Sequence, residues 1–428
     1  MTITFLVSGA IFLITFIAIL RERVDRTILA MAGAGAMLVA GMLLGFYSEE
    51  AALEAVDFNT LGLLLGMMVL VALLSGTGFF QYLAIFAAKQ SRGHPWTLLL
   101  ILGGVTTVLS MFLDNVTTII LIAPVSILIA EILGISPVPF LISEAMLANT
   151  GGVSTLVGDP PNILIGSAAN FSFNDFLVRL APIVAVAWVA AFITLRYLFR
   201  NDLPKKSRNA KALAQLDENQ AIHDKKNLVR ILIVLAGVIV LFFLHTVVNL
   251  APAAVALLGA ATALLWTQPD IDQIMKEIEW GTLIFFSALF VLVGGVDASG
   301  LLNVLATAVT GLAQTDLLFS GVVLIWGAAI LSAIVDNIPL TIVMIPIIQL
   351  LGIQGVDVTP LWWALALGAG FGGNGTPIGT TANVIAVKLS TRTRSPITTK
   401  LWLRTGLPVM LVTCIVATVL FILTFSFM

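Results

Sequence analysis

The chain has 428 residues, 59% of them hydrophobic and 10% charged, with a formal net charge of −2. Soluble domains carry about 25% charged residues, so a water-soluble globule is excluded, and with no basic patch interleaved with aromatics nucleic acid is excluded as a partner. A single cysteine, Cys414, rules out an intrachain disulfide or thiolate metal site.

The apolar runs are about 20 residues long, the length a helix needs to cross about 30 Å of hydrocarbon, and none alternates as a barrel strand would. Residues 3–20 and 27–46 read as the first two spans, separated by the basic stretch 21–26. Arg21, the first basic residue, follows the first run instead of preceding it, the reverse of a secretory signal, so that run is expected to stay as a span. A third span covers 60–80, and 81–89 reads as a short interfacial helix. From 97 to 133 the chain is apolar with one break at Asp114-Asn115, which predicts a re-entrant hairpin. The fourth span, 139–170, is predicted to be broken: Gly151, Gly152 and Gly158 permit unwinding, and Pro160 and Pro161 suit the first turn of a restarting helix. A fifth span covers 178–199.

The second half repeats the first. Asp336-Asn337 stands 222 positions after Asp114-Asn115, Pro346 follows Asp336 as Pro124 follows Asp114, and 372–383 echoes 151–162. The domain reading is therefore a first repeat over 1–200, a cytoplasmic linker over 201–226 and a second repeat over 227–428 with hairpin 316–352 and broken helix 359–388. The expected fold is all-α and polytopic, with about ten transmembrane helices, two re-entrant hairpins and two broken helices. Each half crosses the membrane an odd number of times, so the second must sit inverted. If 21–26 is cytoplasmic, this topology puts all but Arg179 of the 21 Lys and Arg residues inside. An inner, cytoplasmic membrane and extracytoplasmic termini follow.

A carboxylate costs about 2.5–3.5 kcal/mol or more at the centre of a membrane helix, so intramembrane acids point to a functional site. Asp114 and Asp336 precede restarting helices and also suit N-caps. The first broken helix adds Thr150, Ser154, Thr155, Asp159 and Asn162, mirrored by Asn374, Thr376, Thr380, Thr381 and Asn383. Half-helix N-termini present free amides, and unwound backbone presents carbonyls. With Asn115, Thr117, Thr118 and Asn337, these groups form the expected substrate or ion site. Asp159 has Thr380 as its counterpart, so the fold alone does not demand a carboxylate there. Asp159, Asp114, Asp336 and Glu144 are the candidate proton-coupling acids. No Lys or Arg falls at the expected midplane depth.

Phe112-Leu-Asp-Asn-Val-Thr-Thr118 and the stretch 149–165, with Gly158-Asp-Pro-Pro-Asn162 as its most specific part, resemble signature segments of the ion transporter superfamily. Within it they lie nearest the arsenite permease and pink-eyed-dilution P-protein branch, and the Pro-Pro pair places the chain towards the P-protein side. The resemblance covers essentially the whole chain. It implies secondary transport by an elevator-like movement, with hairpin tips and broken helices forming the substrate site. Relatives of this kind export arsenite and antimonite, exchange Na⁺ for H⁺ or take up carboxylates. With acidic tips and no thiolate site, the reading is proton-coupled arsenite or antimonite efflux, with Na⁺/H⁺ antiport as the alternative and an organic anion as less favoured. The inverted repeat, and the lack of a His-Glu-x-x-His motif, argue against an enzyme. The expected partners are membrane lipid and a small inorganic solute or ion, with a homodimer and a cytosolic ATPase as further candidates. No cofactor or resident metal is expected, the coupling ion being H⁺ or Na⁺.

Overall fold

The structure, a computed structural model, describes residues 2–21, 23–204, 209, 217–304 and 316–427. The described residues form helices and connecting turns without a strand. In the first half these are α1 (Thr2–Leu20), α2 (Arg26–Leu44), α3 (Glu49–Glu54), α4 (Phe58–Ser75), α5 (Phe79–Gln90), α6 (Pro95–Phe112), α7 (Asn115–Leu133), α8 (Val138–Gly152), α9 (Pro160–Ala169), α10 (Phe173–Arg179) and α11 (Ala181–Leu198). The second half comprises α12 (Lys225–Leu244), α13 (Pro252–Thr267), α14 (Ile271–Glu277), α15 (Trp280–Ala298), α16 (Leu317–Ile334), α17 (Asn337–Ile353), α18 (Thr359–Gly372), α19 (Thr381–Ser390) and α20 (Thr399–Thr424).

Polar residues mark where these apolar helices begin. Asp25 accepts from Thr27 N, Asp57 from Asn59 N and the Thr60 hydroxyl, and Asp316 from Phe319 N, each supplying an acceptor to amides that would otherwise be orphaned. Ser172 and Asp175 close a capping box on α10. Outward faces are apolar: Leu6, Leu13 and Ile14 on α1 and Leu265 on α13 are well exposed. Apolar surface on this scale needs a hydrocarbon surround.

Among the described residues, 10 helices are long and apolar enough to cross a membrane. The number agrees with the sequence expectation but the membership differs. Both arms of the first hairpin, α6 and α7, qualify by length, as does α16, whereas the broken helices and α13 are shorter. Length alone does not distinguish a re-entrant arm from a span.

The helices group into two bundles. In one, which we call the frame, α2 packs on α1 and α15, and α4 packs on α13, with α12 beside both. In the other, the hairpin bundle, α6 and α7 pack on α8, α16 and α17 on α18, α19 on α7 and α8, and α11 on α20. The halves contribute equivalent helices to each bundle, so the duplication runs through both.

Equivalent contacts hold the two hairpins to their broken helices. The Ser110 hydroxyl donates to Ala148 O at 2.9 Å and the Ser332 hydroxyl to Ala369 O at 2.6 Å. The Thr155 hydroxyl donates to Met111 O, and that of Thr376 to Ala333 O. Gly151 and Gly152 are helical, and the backbone unwinds only after them. Their small size serves close approach instead: a Cβ on Gly151 would meet Thr107, and one on Gly152 would meet the Gly158 carbonyl.

Matching glycine turns follow the frame helices α4 and α15. At the first, Gly78 has φ +84°, and the Ala221 carbonyl from the end of the linker lies directly against its Cα. His223 N donates to Thr77 O at 3.0 Å, and Lys89 on α5 pairs with Glu218. The hydrogen bond from Lys89 holds the Glu218 carboxyl below its ordinary range. At the matching turn, Gly300 also has φ +84° and is covered by Phe5, while Ser8 donates to Ser299 at 2.8 Å. Most of the linker's centre, and residues 305–315, lie outside the described residues.

Candidate substrate and ion site

Asp159 is the point at which the two hairpins meet. It follows the unwound stretch of the first broken helix and precedes α9, the position of an N-cap, yet its side chain makes no cap bond. The carboxylate turns instead towards the tips. Asn115, from the first tip, donates to Oδ1 at 3.3 Å, and Asn337, from the second, donates to Oδ1 and Oδ2 at 3.2 Å each. Asp159, Asn115 and Asn337 are all buried. Hydrogen bonds to an ionised acceptor are the strong ones, and here they are made in a low-dielectric interior.

Asn149, on the first half-helix, extends this network across the duplication. Its Oδ1 accepts from Asn115 at 3.0 Å. Its amide group faces Asn374 Oδ1 at 3.0 Å, Thr380 Oγ1 at 3.1 Å and Asn383 Oδ1 at 2.9 Å. Asn374 returns a bond to the Thr150 hydroxyl at 3.2 Å. Asn162 and Asn383 occupy equivalent places. Asn162 donates to Val153 O and Thr155 O, and Asn383 to Gly373 O and Thr376 O, so each amide satisfies carbonyls freed by unwinding.

The equivalence breaks at the opposite face of these asparagines. Asn383 Oδ1 receives a bond from Asn149, but Gly370 stands at the position equivalent to Asn149, and Asn162 Oδ1 has no partner among the described residues. The first repeat thus presents an acidic, acceptor-rich face where the second presents a closed amide network.

The tips also differ. Asp114 has φ −64° and is satisfied locally by the amide and hydroxyl of Thr117. Asp336 has φ +54° and ψ 143°, a conformation that costs a non-glycine residue about 1–3 kcal/mol. At the place of Thr117 stands Pro339, which has neither amide hydrogen nor hydroxyl. Asp336 is satisfied from outside: Arg26 Nη1 donates to Oδ2 at 3.0 Å and the Thr381 hydroxyl at 3.3 Å. The expectation of no basic residue at the depth of the tips is therefore corrected. Arg26 starts a frame helix, and its side chain reaches the second tip. A cavity of about 440 Å³ opens beside it, lined by Arg23, Arg26, Phe285, Asp336, Thr381 and Val384 among others.

Of the residues expected at the site, Asp159, Asn115, Asn337, Asn374, Thr380 and Asn383 come together in one network, with Asn162 alongside. Thr117 and Thr118 bond back to Asp114, and Thr155 and Thr376 fasten hairpins to broken helices, so these hydroxyls are committed to local structure. Glu144 lies apart, buried between α7 and α8, accepting from the Ser126 hydroxyl at 2.6 Å, with Oε2 unpartnered among the described residues. Sequence reasoning did not place Asn149 in this network, nor Arg26 at the second tip. Glu279, which accepts from the Thr282 hydroxyl at 3.0 Å, stands at the start of α15, where the Thr27 hydroxyl beside Arg26 donates to Gly281 O. For Asn149 a signal existed, since its counterpart is Gly370, the same asymmetry that singled out Asp159.

Two hairpins and two broken helices meeting at a buried carboxylate, within an apolar multi-pass bundle, define a secondary transporter and not an enzyme. A family model described as citrate transporter matches residues 16–368, and the chain belongs to that family. It is 39% identical over 398 residues to a transporter of Mycobacterium tuberculosis, with 91% of this chain and 92% of that protein aligned. It is 31% identical to the human P protein, covering 96% of this chain and 59% of the larger relative. The crystal structure of the Alcanivorax borkumensis YdaH transporter shares the fold, with a TM-score of 0.57 over 86% of each chain at 15% identity.

Proposed function

We propose that the protein is a proton-coupled secondary transporter of the cytoplasmic membrane, with Asp159 as the coupling acid and an elevator-type movement of the hairpin bundle against the frame. The observation that carries this reading is the Asp159 carboxylate, which is buried, receives amides from both tips and has no basic side chain bonded to it. Such a group exchanges a proton or binds a monovalent cation at lower cost than it stays bare. The paired glycine turns at Gly78 and Gly300, at the ends of the frame helices α4 and α15, support the movement. The basic residues support a topology with both termini outside.

For the substrate, the surroundings of Asp159 favour a small uncharged oxyacid. Side-chain amides, the Thr380 hydroxyl and one carboxylate converge there, and arsenite and antimonite near neutral pH are neutral trihydroxides that such groups can bind. A second reading, an organic carboxylate, is favoured by Arg26 at the second tip and by the description of the matching family. Everted vesicles given a proton gradient separate these readings. Gradient-driven accumulation of arsenite supports the first, and accumulation of citrate the second. Proton release on adding Na⁺, without an effect of either solute, selects Na⁺/H⁺ antiport; no gradient-dependent flux of any of them removes the proposal.

A further inference from the structure

We propose that Arg26 is a positioning residue of the transport cycle: an ion-pair latch by which the frame holds the second hairpin tip in the state seen here. The proposal rests on the reading that the hairpin bundle moves against the frame.

The need for the latch begins in the sequence. At the first tip, Thr117 satisfies Asp114 from within the same helix, with both its amide and its hydroxyl. At the second tip Pro339 replaces it, and a single amide remains, Ile338 N at 3.3 Å. Asp336 therefore depends on donors from other elements, and its backbone is held at φ +54° while they are engaged.

The frame holds the donor through the Phe285 ring of α15, over which the Arg26 guanidinium lies 4.9 Å from the centroid. Nη1 also donates to the hydroxyl of Thr381 at 2.6 Å, a second bond from the frame to the hairpin bundle. Only two ion pairs occur among the described residues. Lys89–Glu218 ties the linker to α5, whereas Arg26–Asp336 joins frame to hairpin bundle. Its side chains are 27% and 18% exposed, at the wall of the cavity of about 440 Å³, so the pair is reachable by solute without being fully solvated. When Asp336 leaves, Arg26 is not stranded. Glu279 stands at the start of α15 in the same frame, beside the start of α2, where the Thr27 hydroxyl donates to Gly281 O at 3.1 Å. Exchange of Asp336 for Glu279 keeps the guanidinium compensated and lets the tip relax.

The test measures the conformational state directly. Cys414, the only cysteine, is replaced by Ala, and Val384→Cys places a thiol on the cavity wall. Its reaction with a membrane-impermeant maleimide is followed in vesicles with that face outward. Arg26→Gln is expected to slow labelling about tenfold, the scale of losing one charge-assisted contact, and Arg26→Lys to restore most of the rate. Asp336→Asn is expected to slow it similarly, and the double variant no further. Monodisperse elution in detergent confirms that each variant folds. Unchanged labelling in Arg26→Gln, or additive effects of the two substitutions, overturns the latch. Failure of ion-coupled flux with the labelling pattern intact would instead remove the proposed function and leave Arg26 as the residue that sets the position of the tip.

Discussion

Asn337 donates to both carboxylate oxygens of Asp159, at 3.2 Å each, although 178 positions separate the two residues. One residue comes from the first broken helix and the other from the second hairpin. The bond thus joins the two halves of the duplication at their most polar point, and the central prediction follows from it.

Asp159→Asn should uncouple transport while preserving the fold. The substitution removes the titratable oxygen, and the neutral amide is easier to bury than the carboxylate. Gradient-driven flux in everted vesicles is expected to fall by about 100-fold or more, matching the loss of a charged group used directly in binding. Thermal unfolding in detergent should stay within about 1 kcal/mol of the parent.

Asn149→Ala should act on stability. Its two amide hydrogens are shared among Asn374 Oδ1, Thr380 Oγ1 and Asn383 Oδ1, and of these Thr380 Oγ1 alone would keep another donor among the described residues, Asn383 N. Leaving one buried acceptor unsatisfied costs about 1–3 kcal/mol. A lower midpoint in a fluorescence-based melt, with Asn149→Gln closer to the parent, is the expected result.

Gly78→Ala should release the linker. The backbone there has φ +84°, and the Ala221 carbonyl leaves no space for a methyl group. The strain of a Cβ at this φ, about 1 kcal/mol, adds to the clash. Proteolysis between 217 and 223 should accelerate several-fold, whereas Gly76→Ala, at φ −60° and with nothing nearer than 3.8 Å, should leave it unchanged.

Acid should loosen the same strap. The Lys89 hydrogen bond lowers the Glu218 carboxyl below its ordinary value of 4.5. A group depressed in the folded state contributes stability above its unfolded value and loses it as pH falls through the folded one. Cleavage of the linker by an acid-active protease should therefore rise as pH drops below about 4.5, and Glu218→Gln should remove that pH dependence.

Much of the architecture was legible in the sequence because membranes restrict the choices. Only helices satisfy their own backbone in hydrocarbon, so runs of suitable length, broken at Asp114 and Asp336, place α6, α7, α16 and α17 within a few residues. Proline after Asp159 placed the restart of α9. The role of Gly151 and Gly152 was not legible, since glycine permits both unwinding and close packing, and only the neighbour, Thr107 or Gly158, decides between them. Arg26 was missed for a related reason. Its position in a basic loop predicts a place outside the membrane, but a long side chain at a helix start reaches well beyond its Cα, and its partner is 310 positions away. The Thr117-to-Pro339 difference between the tips carried that information, as a missing donor.

One buried carboxylate is shared by two hairpins. Withdrawing either tip removes amide solvation from the same charge, and withdrawing both would strip it in hydrocarbon. In the proposed cycle the arrangement therefore penalises withdrawing both tips at once, so the acid proposed to load the carrier would also disfavour a continuous open path.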